Sequence, residues 1–141
     1  MGKDRLPHVQ ELLGELSLTP ALICTVSRAG VVSELFLDDN PRKVEFVGTW
    51  ATVEFARWHV HVDLGTVSRI RFDEAQSHED SISAYVSFDD TEGKAVLRFY
   101  FPHPSHSYRT YTTEELELFG RFKQQYQRDC GLGIADWGRE Q

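Results

Sequence analysis

Cysteine is nearly absent. The 141 residues hold two, Cys24 inside an apolar run and Cys130 beside Gly131, too few for a disulfide framework or a zinc ribbon. That usage fits a reducing cytoplasm. No run approaches the roughly 20 apolar residues of a membrane span, and Met1-Gly2-Lys3-Asp4-Arg5 leads into an amphipathic stretch rather than the apolar core of an export signal. Leu6 stands where a myristoylation motif needs Ser or Thr. Positive charge is scarce: 15 Lys and Arg against 22 Asp and Glu give a formal net charge of -7. Nucleic acid and anionic membrane both need a broad electropositive footprint, so neither is an expected partner. Phosphate loops, dinucleotide fingerprints and Ser-His-Asp or Cys-His arrangements do not stand out either. With no linker, repeat or low-complexity tract, residues 1–141 read as a single domain with 131–141 as a C-terminal tail.

What is present is a run of short β-rich segments between two helical ones. Leu6, Val9, Leu12, Leu13 and Leu16 recur at helical spacing behind Pro7, which predicts a helix over Leu6 to Ser17. Alternating apolar segments predict strands at Ala21 to Ser27, Val31 to Leu37, Lys43 to Val47, Trp50 to Phe55, Trp58 to Leu64 and Val67 to Phe72, punctuated by Gly30, Asp38-Asp39-Asn40-Pro41, Gly48 and Gly65. After a polar loop over Asp73 to Asp80, strands at Ser81 to Phe88 and Lys94 to Phe101 form a hairpin in which Gly93 takes a positive φ. Pro102-His103-Pro104 ends the sheet. Thr112-Thr113-Glu114-Glu115 starts a helix running to about Arg128, striped by Leu116, Phe119, Phe122, Lys123 and Tyr126. The fold class is α+β: an antiparallel β-sheet meander flanked by N- and C-terminal helices.

The segment Trp58-His59-Val60-His61-Val62-Asp63-Leu64 carries the chemistry. Strand alternation puts Trp58, Val60, Val62 and Leu64 on a core face and His59, His61 and Asp63 on the other. Two imidazoles and a carboxylate in a row suit a transition metal, a haem iron or acid-base work. A hydrated polar face has the same pattern. A second signal is a set of arginines: Val67, Arg69 and Arg71 share one strand face, and Val96, Arg98 and Tyr100 another. With Tyr85 and Tyr100 nearby, on a sheet whose next strand presents the histidines, they form a cradle for a planar anion, since guanidinium forks pair with carboxylates and stack on aromatic rings. For any one arginine alone, the reading as a surface partner of an acidic residue comes before the cradle.

From Leu6 to Tyr126 the order of elements resembles a single repeat of the HemS/ChuX haem-utilisation superfamily. The likeness rests on His61-Val62-Asp63-Leu64-Gly65-Thr66-Val67-Ser68-Arg69-Ile70, on the hairpin Ser83 to Tyr100 with its Phe88-Asp89-Asp90-Thr91-Glu92-Gly93 turn, and on the closing helix Glu114 to Tyr126. The resemblance implies a cytoplasmic haem-binding protein for haem carriage, storage or sensing, often a homodimer whose two chains mimic the two repeats of longer members. It also implies an axial ligand at His61 or His59 and basic or tyrosine partners for the propionates at Arg69, Arg71, Arg98, Tyr85 and Tyr100. The chain departs from the pattern where Cys24-Thr25-Val26 replaces a histidine of some carriers and where Pro102-His103 replaces a frequent Gly-Arg. An enzyme on the same fold, degrading haem or using a small metal, is the alternative of a different class. An interaction module without haem is a third.

The remaining residues take simpler readings. His-x-His-x-Asp opens like the metallo-β-lactamase motif, but Leu64 stands where that motif needs a further histidine. A lone metal on His59, His61 and Asp63 needs help from elsewhere, with His103 and His106 the nearest in kind. His8 and His78 read as surface residues, Cys24 as a small core residue, and Cys130 as a helix-end thiol. Trp50 and Trp58 are expected in the core or as ligand-wall aromatics. Trp137 in a glycine-rich tail is expected to dock on its own domain or on a second subunit.

Overall fold

The computed structural model describes residues 5–19, 22–37, 40–76, 82–101 and 113–130. Thr112, the loop with His103 and His106, His78 and the tail with Trp137 lie outside the described residues. The elements are α1 (Leu6–Ser17), β1 (Ile23–Arg28), β2 (Val31–Phe36), β3 (Lys43–Val47), β4 (Trp50–Glu54), β5 (His59–Asp63), a 3-10 turn (Leu64–Thr66), β6 (Arg69–Gln76), β7 (Ile82–Asp89), β8 (Ala95–Phe101) and α2 (Thr113–Cys130). The α+β class and the terminal helices are as the sequence predicts. No helix among the described residues is long and apolar enough to cross a membrane.

The strands form two antiparallel sheets rather than one meander: a five-stranded sheet in the order β2-β1-β8-β7-β6 and a three-stranded sheet in the order β3-β4-β5. Sequence alternation fixes the faces of a strand but not the sheet it joins. The break falls after β5, where Asp63 Oδ1 accepts from the Gly65 amide at 2.9 Å and from Thr49 Oγ1 at 2.6 Å. This local bond caps the 3-10 turn and redirects the chain. Asp63 is therefore committed to the backbone rather than offered to a metal. Val67, expected on the face of Arg69 and Arg71, is fully buried in the link before β6.

The strand β6 also runs further than expected, into the segment expected to be loop: Asp73 pairs with Tyr85 and Gln76 with Ile82. Asp73 keeps the parity of Arg69 and Arg71 and joins them on the outer face. In the β7–β8 turn Gly93 has φ 81°, as the hairpin predicts.

Between the sheets lies one core. From α1, Val9, Leu12, Leu13 and Leu16 are buried; the five-stranded sheet contributes Cys24, Ile70, Val86, Phe88, Leu97 and Phe99, and the three-stranded sheet Ala51, Val53 and Val62. Each such side chain contributes on the order of 2 kcal/mol through apolar area removed from water. The stripe of α2 is Phe119, Phe122 and Tyr126, while Leu116 is 40% exposed. Phe101 at the end of β8 meets Phe119 and Phe122 edge to face, each at 5.5 Å between centroids, and so anchors α2.

Burial pushes the Cys24 thiol from 9.0 up to about 12. An unfolded thiol ionises from about pH 9 while the folded one does not, so this group subtracts stability as pH rises from 9.0 towards about 12. In a Cys130→Ser chain, Cys24 is expected to resist alkylation near neutral pH and to react fully once unfolded in urea, followed by mass spectrometry. Rapid modification of the native chain would contradict this burial.

Candidate functional site

The outer face of the three-stranded sheet is set by register. Lys43, Glu54 and His59 form one row, Glu45, Thr52 and His61 the next, and Val47, Trp50 and Asp63 the third. Both imidazoles are exposed, and their rings meet edge-on at 5.1 Å. His61 Nδ1 shares a hydrogen bond of 2.8 Å with Thr52 Oγ1. In the tautomer where Nδ1–H donates to Thr52, the Nε2 lone pair points outward, the arrangement in which a ligating histidine has its ring fixed by its other nitrogen.

The face around these rings is acidic. Glu54 lies opposite His59, and Glu45 binds Lys43 Nζ at 2.7 Å. That hydrogen bond raises the Lys43 ammonium above its ordinary value. Trp50, expected in the core or as a ligand wall, is 53% exposed here, because its register partner Asp63 faces outward too. Among the described residues no three His, Cys, Asp or Glu side chains are placed to hold a metal ion together. His59 and His61 share a face, but Asp63 is engaged by Gly65 and Thr49, so His59, His61 and Asp63 do not form a mononuclear protein-ligated centre.

The arginines and tyrosines do come together, on the outer face of the five-stranded sheet. Arg69 lies opposite Asp89, Arg71 opposite Ser87, and Asp73 opposite Tyr85; Ser87 and Tyr85 in turn face Arg98 and Tyr100. Asp89, 1% exposed, accepts from Arg71 Nε at 2.6 Å and from Ser87 Oγ at 2.6 Å. The Asp89 hydrogen bond raises the Arg71 pKa above its ordinary value. Arg71 also reaches Asp73 at 3.2 Å, and Tyr85 Oη donates to the same carboxylate at 3.3 Å.

Arg98 is held differently. Its Nε donates to Ser87 Oγ at 3.0 Å, its Nη1 to Tyr100 Oη at 3.3 Å, and its guanidinium lies 4.7 Å from the Tyr85 ring centroid. Among the described residues no carboxylate lies within ion-pair distance of it. Beside it is a hollow of about 240 Å³ lined by Thr25, Ser27, Val32, Glu34, Arg98 and Tyr100. Arg69 Nε is buried and has no hydrogen-bond partner among the described residues.

The two groups of candidate residues are thus not neighbours within one chain. The strand beside β6 is β7, not β5, and the core separates the histidine face from the arginine face. A third feature was not singled out in the sequence: a groove of about 470 Å³ lined by Glu34, Leu35, Phe36, Phe55, Ala56, Arg57 and Trp58. Its signal was two aromatic residues flanking a two-residue turn. Its other wall comes from β2, which no local pattern could supply.

A protein-family model matches residues 10–130. No curated protein matches the chain in sequence. Among solved structures, the chain is similar to the haem-binding protein ChuX, with a TM-score of 0.65 and 16% identity over 86% of this chain and 72% of that one. A protein from Agrobacterium tumefaciens gives a TM-score of 0.65 and 14% identity over 87% of this chain and 67% of that one. The haem-binding protein PhuS from Pseudomonas aeruginosa, in its holo form, gives a TM-score of 0.62 and 11% identity over 81% of this chain but only 32% of its own length. At these identities the likeness is one of fold.

Proposed function

The chain belongs to the HemS/ChuX-like superfamily, and from that premise we propose that it binds haem, as a cytoplasmic carrier, store or sensor in haem and iron utilisation. The iron donor in this reading is Nε2 of His61, with His59 as the second imidazole. The observation that carries it is the exposed ring of His61, fixed through Nδ1 by Thr52 Oγ1 at 2.8 Å on a paired strand. When bound, haem would bring redox-active iron; the chain's own work is to bind and orient it.

Haem also needs cations for its propionates, and among the described residues the acidic face around His61 offers Lys43, which Glu45 already pairs at 2.7 Å. Arg69, Arg71 and Arg98, with Tyr85 and Tyr100, then serve a haem held by the imidazoles of a second copy. The acidic histidine face of one copy complements the arginine face of another, which favours a homodimer built this way. Glu45, Glu54 and Asp63 around the imidazoles favour a second reading, an interaction module that binds no haem.

Titrating hemin into the chain tests the choice by absorption. The expected result is a shifted Soret band, an affinity lowered by more than tenfold in His61→Ala, and a loss of roughly tenfold in Thr52→Val, the scale for removing a group that orients a metal ligand. A spectrum equal to that of free hemin, or an unaltered shift in His61→Ala, would overturn the assignment.

A further inference from the structure

We propose that His59 and His61 form a two-imidazole chelate for a free zinc ion on the outer face of the three-stranded sheet. Residues two apart on a strand share a face, and here the exposed rings stand with their centroids 5.1 Å apart. Two imidazoles on one tetrahedral zinc, each bonded at about 2.0 Å with its ring centre about 1.1 Å beyond the nitrogen, have centres about 5 Å apart. A square arrangement, the preference of copper, would bring the centres to about 4.4 Å. The spacing therefore selects zinc.

The two side chains play different parts. Thr52 Oγ1 engages Nδ1 of His61 at 2.8 Å, which leaves Nε2 as the donor of a ring already fixed. His59 has no hydrogen-bond partner among the described residues, so its ring can turn until a nitrogen meets the same ion. The surroundings attract a dication. In the three cross-strand rows of this face Glu45, Glu54 and Asp63 are acidic and Lys43 is the one basic residue, tied to Glu45 at 2.7 Å. No third His, Cys, Asp or Glu among the described residues is placed to join the pair, so water completes the tetrahedron and the ion stays exchangeable. This site shares His61 with the haem reading, so zinc and haem iron exclude each other there, but it needs neither the arginine face nor a second copy.

The test titrates zinc into the full chain by calorimetry, with magnesium as the control. Saturable uptake is expected to include one zinc per chain that disappears in His59→Ala/His61→Ala, an exposed double substitution outside the core. Each single alanine variant should weaken this uptake at least tenfold, because losing only a group that orients a ligand already costs about that much. Thr52→Val should weaken it roughly tenfold, and Thr52→Ser, which keeps the hydroxyl, should restore it. Magnesium, which prefers oxygen ligands, should not saturate the chain at the same concentrations. Zinc uptake unchanged in the double variant, an affinity untouched by His59→Ala, or equal binding of magnesium would each overturn the proposal. The titration contains no hemin, so a failure of the haem reading leaves its result unaffected.

Discussion

Replacing Asp89 by alanine is expected to destabilise the fold by about 3 kcal/mol, the largest effect of any single polar substitution on the sheet faces. Asp89 is 1% exposed and makes hydrogen bonds of 2.6 Å to both Arg71 and Ser87. Removing one partner of a buried, hydrogen-bonded ion pair leaves the other charge poorly solvated, and that penalty exceeds the net worth of the pair. Arg71 keeps Asp73 at 3.2 Å and is partly exposed, which places the cost at the lower end for such pairs. The loss would also spread, since Ser87 is the acceptor that orients Arg98. An Arg71→Met/Asp89→Asn chain, with neither charge, should recover part of the stability. Urea unfolding followed by circular dichroism measures all three. A loss below about 0.5 kcal/mol in Asp89→Ala, the range of ordinary surface changes, would mean that the network is not a buried ion pair.

That network shows what could and could not be read from the chain. Alternation gave Arg98 and Tyr100 one face and Leu97, Phe99 and Phe101 the other, because a strand covered on one side must repeat every second residue. The same rule gave His59 and His61 an outward face and Val62 and Leu64 a buried one. It gave no information on which strands lie side by side. The short link from β5 to β6 reads as one more connection of a meander; instead a 3-10 turn capped by Asp63 carries the chain from one sheet into the other. The turn thus lies between two clusters expected to share one cradle. Trp50 misled for a related reason: a large apolar residue signals the core on average, but register against Asp63 forces this one outward. The aromatic groove depends on Phe36 and Trp58 meeting across a separation of 22 positions, a contact no local pattern encodes.

Coexpressing His61→Ala chains with Arg98→Ala chains should restore haem binding that neither has alone. If the iron donor comes from one copy and the propionate partner from another, a two-fold dimer contains two sites, each using His61 of one chain and Arg98 of its partner. A dimer of identical variant chains has both sites broken. In a mixed dimer one site lacks both groups and the other lacks neither, so random pairing recovers roughly a quarter of the full Soret signal. Arg98 is the appropriate arginine to remove. Its partners among the described residues are a hydroxyl, a phenol and an aromatic ring, whereas Arg71 is already matched by Asp89 and Asp73. A guanidinium held by neutral groups retains most of its attraction for an incoming carboxylate, and its loss is expected to weaken haem binding by tenfold or more. If both groups served a haem within one chain, the mixed sample would give only the average of the two variants. That average would sink the two-copy arrangement while leaving His61 as the iron donor, and full binding by Arg98→Ala alone would remove the arginine face from the site.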